Sequence, residues 1–101
     1  VEFSDSFAEA HNNYAYALAN IGKNEEALQA VTLSLKLKPN NAAALDTKGF
    51  ALLNLGRYEE ALQYFEQALE IDPTNSDLYL HLAQALEKSN QPQEAVRAYQ
   101  T

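Results

Sequence analysis

The feature that most constrains this chain is a phrase written twice. Asn20-Ile21-Gly22-Lys23-Asn24-Glu25-Glu26-Ala27-Leu28 returns 34 residues later as Asn54-Leu55-Gly56-Arg57-Tyr58-Glu59-Glu60-Ala61-Leu62. In each copy a helical pattern of apolar residues ends, a glycine breaks the chain, and a second helical pattern begins. A glycine after the last periodic residue is a helix stop, and two glutamates after it favour the positive end of the next helix. Helix pairs joined by such short turns lie antiparallel, and a pair recurring at a fixed interval is the unit of a solenoid.

The recurrence is chain-wide. Ala8–Asn41 aligned on Ala42–Asn75 gives 14 identities in 34 positions. A third, shorter copy, Ser76–Thr101, keeps Ala85, Leu86, Glu94 and Ala95 in register. The expected organisation is therefore a single domain over residues 1–101, with a lead-in at 1–7, repeats at 8–41 and 42–75, and a partial repeat at 76–101. Six helices follow, about Phe7 to Ile21, a second capped by Asn24 and stopped by Pro39, Ala42 to Leu55, Tyr58 to Ile71, Asp77 to Lys88, and one from Pro92 carrying Ala95, Val96 and Tyr99. Ser6 with Glu9 reads as a capping box for the first helix, and Asn24, Asn41 and Ser76 read as caps of the second, third and fifth. Leu28, Val31, Leu35 and Leu37 are expected on the buried side of the second helix. No run of β-branched residues alternates with period two, so no strand is expected and the fold class is all-α.

The second copy carries Leu45, Gly49, Leu52, Gly56, Tyr58, Ala61, Phe65, Ala68 and Pro73 in the order and spacing of a known pattern. The first carries Tyr14, Ala15, Leu18, Gly22, Ala27, Val31 and Pro39, and the third Tyr79, Leu82, Ala83, Leu86, Ala95 and Tyr99. On these residues the chain resembles the tetratricopeptide repeat family from about residue 8 to 101. The pattern has a physical cause: small residues (Ala15, Gly49, Ala83; Ala27, Ala61, Ala95) let two helices cross closely, while larger ones fill the space beside the crossing. There are departures. His11 and Lys48 replace apolar residues, Asn24 replaces the tyrosine found at Tyr58, Asn90 replaces a turn glycine, and no solvating helix follows the third copy.

The resemblance implies a right-handed superhelix whose concave face is lined by the first helix of each pair. Its lining would be Glu9, Asn12, Asn13, Tyr16, Ala19 and Asn20, then Ala43, Asp46, Thr47, Phe50, Leu53 and Asn54, then Asp77, Leu80, His81, Gln84, Glu87 and Lys88. Tyr16 and Phe50 share one repeat position, and Asn20 and Asn54 another. Aromatic anchors flanked by amides suit an extended peptide or a partner helix. The cation cluster with which many family members hold a terminal carboxylate is absent, since Lys88 is the one cation in this set. Glu9, Asp46, Asp77 and Glu87 point instead to a neutral or basic ligand.

Composition excludes other classes. A formal net charge of −7 argues against a nucleic-acid binder and an anionic membrane surface. There is no cysteine, and no apolar run approaches a membrane span. His11 and His81 have no partners at metal-ligand spacing, and the paired glutamates recur at helix starts, where the helix dipole explains them. No phosphate loop or nucleophile motif occurs. The expectation is thus a non-catalytic, cofactor-free interaction scaffold, cytoplasmic, binding a protein or peptide and neither nucleic acid nor membrane. Two alternatives stand beside it: a self-association module in which uncapped terminal repeats pack or exchange helices, and an interaction arm of a larger enzyme. The chain opens on Val1 and reads as a piece of a longer protein.

Overall fold

Each turn between helices is fixed by a small set of backbone hydrogen bonds that the sequence makes available. In the computed structural model, which describes residues 2–89, the elements are α1 (Glu2–Asn20), α2 (Asn24–Leu37), α3 (Ala42–Asn54), α4 (Tyr58–Ile71) and α5 (Ser76–Lys88). The expected sixth helix, from Pro92 with Ala95, Val96 and Tyr99, lies outside the described residues. Among the described residues the structure is all-helical.

Gly22 and Gly56 do what the sequence asks of them. Their φ values are +85° and +82°, a region that costs L-residues with a Cβ about 1–2 kcal/mol. That reversal lets the N–H of Lys23 reach Leu18 O at 2.8 Å and the N–H of Arg57 reach Leu52 O at 2.9 Å. The carbonyls that end α1 and α3 are thereby satisfied. The opposite turns use a different device. Asn41 and Asn75, one repeat apart, cap α3 and α5: Asn41 Oδ1 accepts from the N–H groups of Ala43 and Ala44, and Asn75 Oδ1 from those of Asp77 and Leu78.

Three capping expectations are corrected. Asn75, not Ser76, caps α5, because the residue two places after Pro73 is the one that keeps extended backbone. Asn24 does not cap α2; Lys23 holds the cap position without a side-chain bond, and Asn24 Nδ2 donates back to Gly22 O at 3.3 Å. Ser6 lies within α1 rather than at its start. No glycine or proline interrupts residues 2–20, so the helix propagates through the expected lead-in, gaining a backbone bond per residue.

Packing follows the small-residue positions. Ala15, Ala27, Ala61 and Ala83 are fully buried. Gly49 lies against Phe65 so closely that a Cβ at Gly49 would sit 2.5 Å from Phe65 Cε1. Ala15, Leu18, Ala19, Ala27, Ala30, Val31, Ala44 and Ala51 form one cluster, joining α1, α2 and α3. Leu45, Leu52, Leu53, Ala61, Phe65, Ala68, Leu78 and Ala85 form the next, joining α3, α4 and α5. Thus α1 packs on α2 and α3 on α4 within their pairs, and α3 and α5 each pack on the pair before them. Leu37, expected in the core, is exposed at the end of α2, as is Ile71 at the same position of α4. Ser34 replaces a small apolar residue inside the first pair, and its buried hydroxyl is satisfied by donating to Ala8 O at 2.6 Å. Lys48 also finds an apolar partner, its Nζ lying 4.5 Å from the centre of the Tyr64 ring.

The contact between Gly49 and Phe65 sets a stability prediction. Gly49→Leu forces α3 and α4 apart and is expected to cost about 1–3 kcal/mol, the usual range for an overpacked core. Gly22→Ala meets no atom within 4 Å and is charged only the backbone term, about 1 kcal/mol. Urea denaturation measures both; a Gly49→Leu midpoint equal to that of the parent chain would remove the close crossing.

Candidate functional site

Repeat stacking brings α1, α3 and α5 side by side, so residues about 34 positions apart become neighbours across helices. Tyr16 on α1 and Phe50 on α3 meet with ring centroids 6.1 Å apart and planes tilted by 37°. Phe50 in turn stacks on His81 of α5 at 5.3 Å and 23°. Three rings from three repeats thus form one continuous row. Its inner end reaches the core, because His81 also lies 5.7 Å from the fully buried Phe65. His81 is further held by Asp46 on α3, with Nδ1 and Oδ1 2.7 Å apart and both side chains more than four-fifths buried. The imidazole donates and the carboxylate accepts.

The other expected residues divide into three groups. Glu9, Asn13, Asn20, Ala43, Asp77, Leu80, Glu87 and Lys88 are exposed, and Gln84 is half-buried. Phe50, Leu53, Asn54, Gln84, Glu87 and Lys88, with Tyr58 from α4, line a shared cavity of about 350 Å³. Asn12, Ala19, Thr47 and Leu53 are buried, and of these Leu53 alone reaches that cavity. The Thr47 hydroxyl is spent within α3 on Ala43 O at 3.0 Å, as a mid-helix threonine commonly bonds one turn back. Asn12 is 8% exposed, and its Oδ1 has no hydrogen-bond partner among the described residues.

Asn54 is an exposed residue with a structural task. Its Nδ2 donates to Ala19 O at 3.4 Å and to Asn24 Oδ1 at 3.1 Å, tying the end of α3 to the first repeat's turn. Asn24 is fixed by its own bond to Gly22 O, so one amide chain spans two repeats. Sequence reasoning missed this chain, the Asp46–His81 pair and Tyr58. A signal for the first two was present: Asp46 and His81, like Ala19 and Asn54, are separated by 35 residues, one more than the repeat. Outside this face, Arg57 makes a two-pronged ion pair with Glu60, at 3.2 and 2.6 Å. That hydrogen bonding holds the exposed guanidinium above its ordinary pKa. Among the described residues no three histidine or carboxylate side chains gather in a metal-binding group.

Tetratricopeptide repeat family models match residues 8–41, 32–63 and 52–101, covering the chain from residue 8 to its end. The chain belongs to the tetratricopeptide repeat family. No curated protein matches the sequence. Among solved structures, the second tetratricopeptide domain of Spaghetti (RPAP3), bound to the HSP90 peptide SRMEEVD, is similar over 99% of this chain and 94% of its own, at 22% identity and a TM-score of 0.88. The type III secretion translocator chaperone SycD of Yersinia enterocolitica, solved as an alternative dimer, is similar over 97% of this chain and 74% of its own, at 20% identity and a TM-score of 0.87. A double mutant of MamA RS-1 is 30% identical over 92% of this chain, with a TM-score of 0.80. The tetratricopeptide chain spans about half the length of that MamA chain, 52%.

The Asp46–His81 pair makes a second prediction. In a double-mutant cycle of Asp46→Ala and His81→Ala, the coupling energy is expected at about 1–2 kcal/mol, the range for a partly buried hydrogen bond with one charged partner. Urea melts of the four proteins give the value, and additive effects would show that the pair does not act as a unit.

Proposed function

We propose that this tetratricopeptide domain is a non-catalytic interaction scaffold that takes a neutral or basic peptide, or a partner helix, on its concave face. The observation that carries this reading is the ring row Tyr16–Phe50–His81, which runs across three helices and remains partly open to solvent. Aromatic rings offer large contact area at small entropic cost, and Tyr is enriched at binding hot spots. The charges around the row select the ligand. Exposed Glu9, Asp77 and Glu87 flank it, against the single cation Lys88 of the expected lining. The neighbouring structure's peptide ends in Glu-Glu-Val-Asp; such an acidic terminus would meet repulsion here, whereas Lys or Arg side chains would be attracted.

The same reading takes the chain as one domain of repeats 8–41, 42–75 and 76–101, wound as a right-handed superhelix. It also takes the scaffold as cytoplasmic; among the described residues no helix is long and apolar enough to cross a membrane.

Fluorescence titration with matched libraries of basic and acidic peptides tests the proposal. Basic peptides are expected to bind more tightly, and Tyr16→Ala with Phe50→Ala to weaken them by about tenfold or more, corresponding to the loss of at least one hot spot. Tyr16→Ala alone, at an exposed position, keeps the fold and should carry part of the loss. A preference for acidic peptides, or equal binding by the double variant, would overturn it.

A further inference from the structure

The amide chain that ties the first two repeats has a fixed direction. Gly22 O is a carbonyl and can only accept, so Asn24 turns Nδ2 toward it, at 3.3 Å, and keeps Oδ1 for the next link. Asn54 must then present Nδ2 to Asn24 Oδ1, at 3.1 Å, and the same nitrogen reaches a second carbonyl, Ala19 O, at 3.4 Å. Both N–H groups of the Asn54 amide are thereby spent on the first repeat. What remains is Oδ1, which bonds to no described residue. Toward the third repeat, Asn54 borders the cavity of about 350 Å³ that α3 shares with α5. Asn54 therefore brings to that cavity an acceptor and no donor.

We propose that this cavity receives an arginine side chain of the ligand. The inference rests on the concave-face reading above and names the ligand group that the face selects. The other walls combine ring surface with hydrogen-bonding groups. Half-buried Phe50 and Tyr58 supply the rings, exposed Glu87 a carboxylate, and half-buried Gln84 an amide with no partner among the described residues. A guanidinium is planar, accepts nothing and carries five N–H donors. It can lie on a ring while it donates to Asn54 Oδ1, the Gln84 carbonyl and the Glu87 carboxylate. A lysine has the charge without the plane, and its ammonium is more strongly hydrated. A main-chain N–H of the ligand would satisfy one acceptor and leave the rings uncovered. A carboxylate would meet the Lys88 ammonium, but Asn54 and Glu87 would offer it only lone pairs. Lys88 is the wall group that opposes an arginine. It is exposed near the end of α5, and its long stem lets the ammonium turn to water.

Fluorescence anisotropy gives the test, with short peptide libraries that differ only in a central arginine, lysine, citrulline or glutamate. Citrulline keeps the shape of arginine and loses its charge. The arginine library is expected to bind more tightly than lysine or citrulline by about fivefold or more, with glutamate weakest. Glu87→Gln should lower the arginine affinity and narrow its lead over lysine, whereas Lys88→Gln should raise it, an improvement that damage to the fold does not produce. Asn54→Leu removes the acceptor and should also narrow the lead. Because it cuts the amide chain as well, its urea melt is read beside it, and Glu87→Gln, at an exposed position, carries the test where Asn54→Leu loses the fold. Tyr16→Ala, outside the cavity, should weaken the arginine and lysine libraries by the same factor. Equal binding of arginine and lysine, still sensitive to Tyr16→Ala, would overturn the arginine site and leave the concave-face reading standing. An arginine preference that survives both Glu87→Gln and Asn54→Leu would place the arginine elsewhere and overturn it too. A preference for glutamate, or no binding by any library at millimolar peptide, would overturn both readings.

Discussion

The ring of Phe65 lies on the backbone of α3 at Gly49, where any other residue would put a Cβ into it. This contact lets the second helix pair close to the distance at which its core excludes solvent, and it positions a ring that serves more than the core. Phe65 is fully buried, yet it borders His81, which stacks on Phe50, which in turn meets Tyr16. The ring row across α1, α3 and α5 is therefore an extension of the core's packing rather than a set of side chains placed on a finished scaffold. Preorganised rings lose little freedom on binding, the condition under which modest contact area yields useful affinity. Asp46 completes the arrangement by fixing the imidazole from α3.

Much of the fold was legible in the sequence because it rests on residues whose reasons are local. Gly22 and Gly56 must reverse the chain, and the small residues Ala15, Gly49, Ala27 and Ala61 must stand where helices cross. These need only the repeat and the spacing to be found. Caps were harder. Asn24 and Ser76 both have capping chemistry, and which residue keeps an extended backbone depends on the turn before it. The Asn41/Asn75 correspondence held the answer, since these two share a repeat position and both cap. The start of α1 was misplaced for a related reason: a capping pattern at Ser6 and Glu9 has no force where nothing stops the helix upstream.

The site was legible as a face and less so as a set of roles. Tyr16 and Phe50 stood out because they coincide at one repeat position, and the structure sets them side by side. Thr47 and Asn12 are on the same helices but rotated inward, a difference of one position that periodicity does not resolve. His81 looked like a lone histidine because its partner is one residue out of step with the repeat, at a separation of 35.

The central claim is that one packed series of rings joins the core to the proposed recognition face. Nuclear Overhauser contacts of the His81 ring protons in the free chain test it most directly. The account predicts contacts from His81 to the rings of both Phe50 and Phe65, at centroid distances of 5.3 and 5.7 Å. A His81 ring with contacts to neither, turned to solvent, would contradict it.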